Sequence, residues 1–87
     1  MTNHIIKQLD LHQPCIGAWL TVASPFVGEA MASTGFHWLA VDMEHNPLSI
    51  EDAALAFMAA ENHGVAPFVR LPNADPILAR RLLDAGA

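Results

Sequence analysis

Trp38-Leu39-Ala40-Val41-Asp42-Met43-Glu44-His45-Asn46-Pro47 decides how this chain folds. Residues 38–41 form an unbroken apolar run with no polar alternation, the mark of a strand buried on both faces. Asp42 ends the run, and Asn46-Pro47 turns the chain. Ser49 then caps a helix, with Asp52 three residues on completing a capping box. That helix is expected to carry Ile50, Ala54, Phe57, Met58 and Glu61 on one side and to stop near His63-Gly64.

The same unit recurs on either side. Cys15 to Thr21 is a short apolar run, followed by Ser24-Pro25, an N-cap and a proline at the first helical position. Phe26, Val27, Ala30 and Met31 give the expected apolar face of that helix, and Gly35 ends it. Val65 to Arg70 reads as a third strand. Asp75-Pro76 opens a further helix with Leu78, Leu82 and Ala85 on one face and Gly86 as C-cap. Asn3 to Leu11 is expected to form a short leading helix.

Strands alternating with helices at this spacing predict an α/β fold with parallel strands and right-handed crossovers. Three such units leave two open sheet edges. The chain has 87 residues, 53% of them hydrophobic and 15% charged, with a mean hydropathy of +0.30. A short chain has a high surface-to-volume ratio and needs more polar cover than this. The expectation is a single partial domain, 1–87, that is either truncated or a fragment of a larger barrel.

The net charge of −5 and only four basic residues exclude the electrostatic footprint of a nucleic-acid binder. They also disfavour an anionic membrane surface. The single cysteine, Cys15, forms no intrachain disulfide, fits a reducing compartment and reads as a packing residue. The first seven residues lack the apolar core of a signal peptide. No apolar run approaches the roughly 18 residues needed to span a bilayer. A cytoplasmic protein is expected.

Chemistry gathers where the strands end, the usual place for ligands in parallel α/β proteins. Strand alternation would put Asp42 and Glu44 on one side and Met43 on the other, with the Asp42 carboxylate at the rim. A carboxylate beside the imidazole of His45 can fix its tautomer and support it as a general base. The alternative is that Asp42 caps a turn while Glu44 and His45 are solvated. Arg70 ends the third strand as Asp42 ends the second. Its guanidinium can hold a substrate carboxylate through two parallel hydrogen bonds. It can equally form an internal ion pair with Asp42 or Glu44, and the two readings are compatible. Trp19 either walls a pocket or packs in the core.

Asp75 reads as a helix cap. Asp84 falls in a last helical turn, where the macrodipole disfavours negative charge and a partner elsewhere would relieve it. His4, His12, His37 and His63 show no metal-ligand spacing and read as surface or boundary residues. There is no Gly-rich phosphate loop and no nucleophile elbow.

Taken in order, Gly17-Ala18-Trp19-Leu20, Gly35-Phe36-His37-Trp38-Leu39, Asp42-Met43-Glu44-His45-Asn46-Pro47, Val69-Arg70-Leu71-Pro72 and Leu82-Leu83-Asp84-Ala85-Gly86-Ala87 resemble the start of the HpcH/HpaI aldolase family. The resemblance implies the N-terminal three βα units of a TIM (β/α)₈ barrel preceded by a short helix, an incomplete barrel. It implies a class II, metal-dependent pyruvate aldolase cleaving 4-hydroxy-2-oxo acids, including 2-keto-3-deoxy sugar acids, to pyruvate and an aldehyde.

On that resemblance His45 is the acid–base residue acting on the 4-hydroxyl through water, and Asp42 orients it or the water. Arg70 binds the pyruvoyl part and stabilises the enolate, and Asp84 reaches a neighbouring subunit; Trp19 is a substrate-lining candidate from its place near the end of the first strand. The family's Mg²⁺ or Mn²⁺ is held by a Glu and an Asp on later strands, with Glu44 at most orienting a metal-bound water. No metal ligand is therefore expected within these residues, and little activity from them alone. A hexamer is implied for the complete enzyme. The competing readings are a citrate lyase β-subunit-like enzyme acting on acyl-CoA, and an inactive remnant of the aldolase.

Overall fold

The computed structural model describes residues 4–87. The elements run α1 (His4–Asp10), β1 (Gly17–Leu20), α2 (Pro25–Ala32), β2 (Trp38–Asp42), α3 (Ile50–Asn62), β3 (Ala66–Arg70) and α4 (Pro76–Ala85). The expected start of the leading helix at Asn3 lies outside the described residues. Strands β1, β2 and β3 pair in parallel in that order. The register joins Trp19 to Ala40 to Phe68, Leu20 to Val41 to Val69, and Asp42 to Arg70. This is the predicted α/β arrangement with an open three-stranded sheet.

The helices start where the caps place them. Ser24 accepts from the Val27 amide ahead of Pro25, and Asp75 accepts from the Ile77 and Leu78 amides ahead of Pro76. Ser49 and Asp52 form the reciprocal capping box. Pro67 sits inside β3 without breaking it. Ala66 donates to the His37 carbonyl on the β2 side, so Pro67, which cannot donate, faces the outer edge.

Alternation divides the sheet into two unlike faces. Leu20, Leu39 and Val41 point to the helices and join Ala53, Ala56, Phe57, Ala60 and Leu82 in the core. The opposite face carries Trp19, Trp38 and Phe68. Trp38 meets Trp19 edge-on at 6.3 Å and Phe68 at 6.1 Å. Trp19 is 47% exposed, so this aromatic face is only partly covered.

Two helix faces differ from the sequence reading. On α2 the buried residues are Gly28 and Ala32, while Phe26 is 85% exposed and Val27 and Ala30 face outward. On α3 the buried stripe is Ala53, Ala56, Phe57, Ala59 and Ala60, while Met58 is 60% exposed and Ala54 and Glu61 lie off the stripe. The reason is steric. A Cβ built on Gly28 would sit 3.8 Å from the Ala56 backbone, so the two helices meet through small residues and leave the large ones outside. Spacing carried the signal: Ala53, Ala56, Phe57 and Ala60 follow the i, i+3, i+4, i+7 rule.

Gly17 is needed for a different close approach. A Cβ there would fall 1.8 Å from Trp38 Cδ2, because the indole lies across β1. Gly17→Ala must displace that ring, and overpacking of this kind costs about 1–3 kcal/mol. Urea unfolding should show the loss. Gly28→Ala, which meets nothing closer than 3.7 Å, is the control and should not destabilise.

Candidate active site

The polar cluster sits where β2 and β3 end. Asp42 is the last residue of β2 and is 3% exposed. The carboxylate expected at the rim is therefore covered, because five donors close over it. Oδ1 accepts from the Glu44 amide at 3.0 Å, the His45 amide at 3.2 Å and Arg70 Nε at 3.1 Å. Oδ2 accepts from Asn46 Nδ2 at 3.0 Å and Arg70 Nη2 at 2.7 Å. The Arg70 hydrogen bonds, with the two amides and the guanidinium charge, hold the Asp42 carboxyl well below the usual carboxylate range, against the opposing effect of burial. The same contact raises Arg70 above its ordinary value.

The bond from the Met43 amide to the Arg70 carbonyl, 3.1 Å, carries the β2–β3 ladder one residue past the strand end. Arg70 is thereby held in both backbone and side chain. Its Nε lies 3.6 Å from Glu44 Oε2, and its guanidinium carbon lies 4.5 Å from the centre of the Trp19 ring. Trp19 thus carries the cation on its π-face. Nη1 makes no hydrogen bond among the described residues, and the Arg70 side chain is 39% exposed. One edge of the guanidinium is locked and the other is open.

His45 stands beside this pair on the loop, its side chain 65% exposed. Asp42 reaches it only through the backbone amide. The ring partner is Glu44, whose Oε1 lies 3.3 Å from Nε2. The structure therefore brings together Trp19, Asp42, Glu44, His45 and Arg70 at one end of the sheet. Asp84 is apart from them, exposed in the last turn of α4 with no hydrogen bond or ion pair to the cluster among the described residues.

Sequence reading missed Asn46 as a member of the site and took it as a turn residue only. Its position four residues after Asp42, on the same loop as Glu44 and His45, was the available signal. Of the scattered histidines, His37 Nδ1 accepts from the Ile16 amide at 2.9 Å, and His63 Nε2 pairs with Glu29 at 2.6 Å, joining the end of α3 to α2.

A divalent ion does not fit these donors. Both Asp42 oxygens are occupied by hydrogen bonds to a cation, an amide side chain and two backbone groups. Among the described residues no three His, Cys, Asp or Glu side chains gather as a metal-binding group. No described helix is long and apolar enough to cross a membrane.

A parallel βα sheet that gathers a guanidinium, two carboxylates and an imidazole at its C-terminal end has the layout of α/β enzymes, whose sites collect at that end of the strands. Comparison with known proteins makes this specific. The chain is 39% identical to the hydroxypyruvate/pyruvate aldolase of Paraburkholderia phytofirmans, covering 99% of this chain and 34% of that protein. It is 37% identical to the 5-keto-4-deoxy-D-glucarate aldolase of Salmonella paratyphi A, covering 97% and 33%. Among solved structures it superposes on an HpcH/HpaI aldolase/citrate lyase family protein from Burkholderia cenocepacia with a TM-score of 0.88 and 39% identity, over 99% of this chain and 35% of that one. No family model matches. Over nearly its whole length the chain is similar to members of the HpcH/HpaI aldolase family; it spans about a third of the length of the curated relatives it matches, and its open three-stranded sheet corresponds to part of a TIM barrel.

Proposed function

We propose that these 87 residues form one partial domain of a cytoplasmic carbon–carbon lyase and supply the anion-binding and proton-handling half of its site. The reaction is the reversible cleavage of a 4-hydroxy-2-oxo acid. A base takes the 4-hydroxyl proton as the C3–C4 bond breaks. The electron pair moves onto the 2-oxo group as an enolate, the aldehyde leaves, and protonation at C3 gives pyruvate.

His45, exposed and backed by Glu44, takes and returns the hydroxyl proton, directly or through water. The open edge of Arg70 binds the pyruvoyl group and meets the negative charge as it develops. Asp42 fixes both, through the Arg70 side chain and through the His45 amide, and Trp19 supports the guanidinium and flanks the substrate. The divalent metal, Mg²⁺ or Mn²⁺, would be held by residues outside this cluster and would polarise the 2-oxo group. Asp84 is left for a contact with a neighbouring subunit of a homo-oligomer.

The observation that carries the reading is the two-point Asp42–Arg70 pair, 2.7 and 3.1 Å, with Glu44 between Arg70 Nε at 3.6 Å and His45 Nε2 at 3.3 Å. The test is a graft. These 87 residues replace the matching third of the Paraburkholderia aldolase, and pyruvate release from a hydroxy-oxo acid is measured with added Mg²⁺ or Mn²⁺. Turnover is expected. A folded graft that binds metal and releases no pyruvate would contradict the proposal.

A further inference from the structure

We infer that Asn46 is a positioning residue, whose amide completes the hydrogen-bond shell of Asp42 and so sets the loop carrying His45 against Arg70. The kinetic part of this inference rests on the aldolase reading; the structural part does not.

The argument starts from the backbone. Pro47 disfavours the helical region for the residue before it, which biases Asn46 against continuing into a helix. The chain then bends at once, with the Leu48 amide bonded to the Asn46 carbonyl at 2.8 Å. In that bend the Asn46 side chain turns back to β2 and donates to Asp42 Oδ2 at 3.0 Å. The same oxygen takes Arg70 Nη2 at 2.7 Å, and the other oxygen takes the Glu44 and His45 amides. A single carboxylate thus ties the third strand to residues 44, 45 and 46.

Asn46 is the side-chain donor that closes this ring from the loop's far end. Without it the two backbone amides hold residues 44 and 45 by one oxygen only, and the loop beyond them is tethered to nothing at Oδ2. The charged and titratable groups facing Asp42 are Arg70 from β3 and Glu44 and His45 from the loop. Asn46 is a neutral donor among them, so it steadies the anion without competing for the guanidinium. His45 depends on this, because its ring is mostly exposed and its backbone is what the structure fixes.

The test uses two substitutions that a turn role and a hydrogen-bond role rank in opposite order. Asn and Asp both favour tight turns. If Asn46 serves only the bend, Asn46→Asp is the milder change and Asn46→Ala the worse. If Asn46 donates to Asp42, Asn46→Asp is the worse, because it removes the donor and sets a second carboxylate against the first. Hydrogen–deuterium exchange across residues 43–46 of this chain should therefore run fastest in Asn46→Asp, slower in Asn46→Ala and slowest in the parent. In the graft, Asn46→Ala should lower kcat by about 10–100-fold, as loss of an outer positioning contact does, with KM nearly unchanged because Arg70 keeps its place. Asn46→Asp should lower kcat further.

Exchange that is equal in all three, or slower in Asn46→Asp than in Asn46→Ala, overturns the inference. If the exchange order holds while the parent graft releases no pyruvate, the aldolase reading fails and the positioning role stands. If the parent graft turns over and the exchange order is absent, the positioning role fails alone.

Discussion

Arg70→Ala in the graft should lower kcat/KM for pyruvate release by about 10²–10³-fold, the effect of deleting one preorganised donor aimed at developing negative charge. The guanidinium is held on three sides. Asp42 takes Nε and Nη2, the β2–β3 ladder fixes the backbone, and the Trp19 ring lies 4.5 Å beneath it. Such a group needs little reorganisation when the enolate forms. Arg70→Lys should not restore activity, because an ammonium cannot keep two bonds to Asp42 and still present a planar edge to substrate.

Arg70→Ala also strands a covered carboxylate, which by itself destabilises. The double substitution Asp42→Asn with Arg70→Ala removes both charges and separates the two effects. It should recover folding, read by urea unfolding, and recover no activity. Recovery of turnover in the double variant, or wild-type rates in Arg70→Lys, would count against an anion-binding role.

His45→Gln should lower kcat by about 10²–10⁴-fold, the usual contribution of a positioned acid–base group, and leave KM and folding nearly as they were. The separation follows from exposure. The ring is 65% exposed and its one ionic neighbour among the described residues is Glu44 at 3.3 Å, so little packing is lost with it. Glu44→Gln should cost less than His45→Gln, since it removes the ring's support and not the ring. Steady-state kinetics of the graft, with circular dichroism to check the fold, decides this. An unaltered kcat in His45→Gln would remove His45 from the reaction.

Much of this was legible in the chain. The apolar run 38–41, the three caps at Ser24, Ser49 and Asp75, and the alternation of strand and helix are enough to define a parallel sheet. Asp42 and Arg70 could be placed side by side because each ends an apolar run one unit apart. Helix faces were less legible. Hydrophobicity ranks Phe26 and Met58 above alanine and glycine, yet α2 and α3 approach closely enough at Gly28 and Ala56 that small residues make the contact and the large ones stay outside. The Asp42 shell was hidden for another reason. Whether a strand-end carboxylate is open or covered depends on where a following bend returns its amides and side chains, and alternation along a strand says nothing about a bend. Asn46 was missed on that account.

The central claim is a division of labour: Arg70 for the anion, His45 for the proton. Oxalate, a planar dianion shaped like pyruvate enolate, tests it without turnover. Calorimetric titration of the metal-loaded graft should show Arg70→Ala weakening oxalate by about tenfold or more, the loss of a hydrogen bond to a charged group, while His45→Gln binds it as the parent does. Equal weakening in both variants, or undiminished binding in Arg70→Ala, would contradict the account.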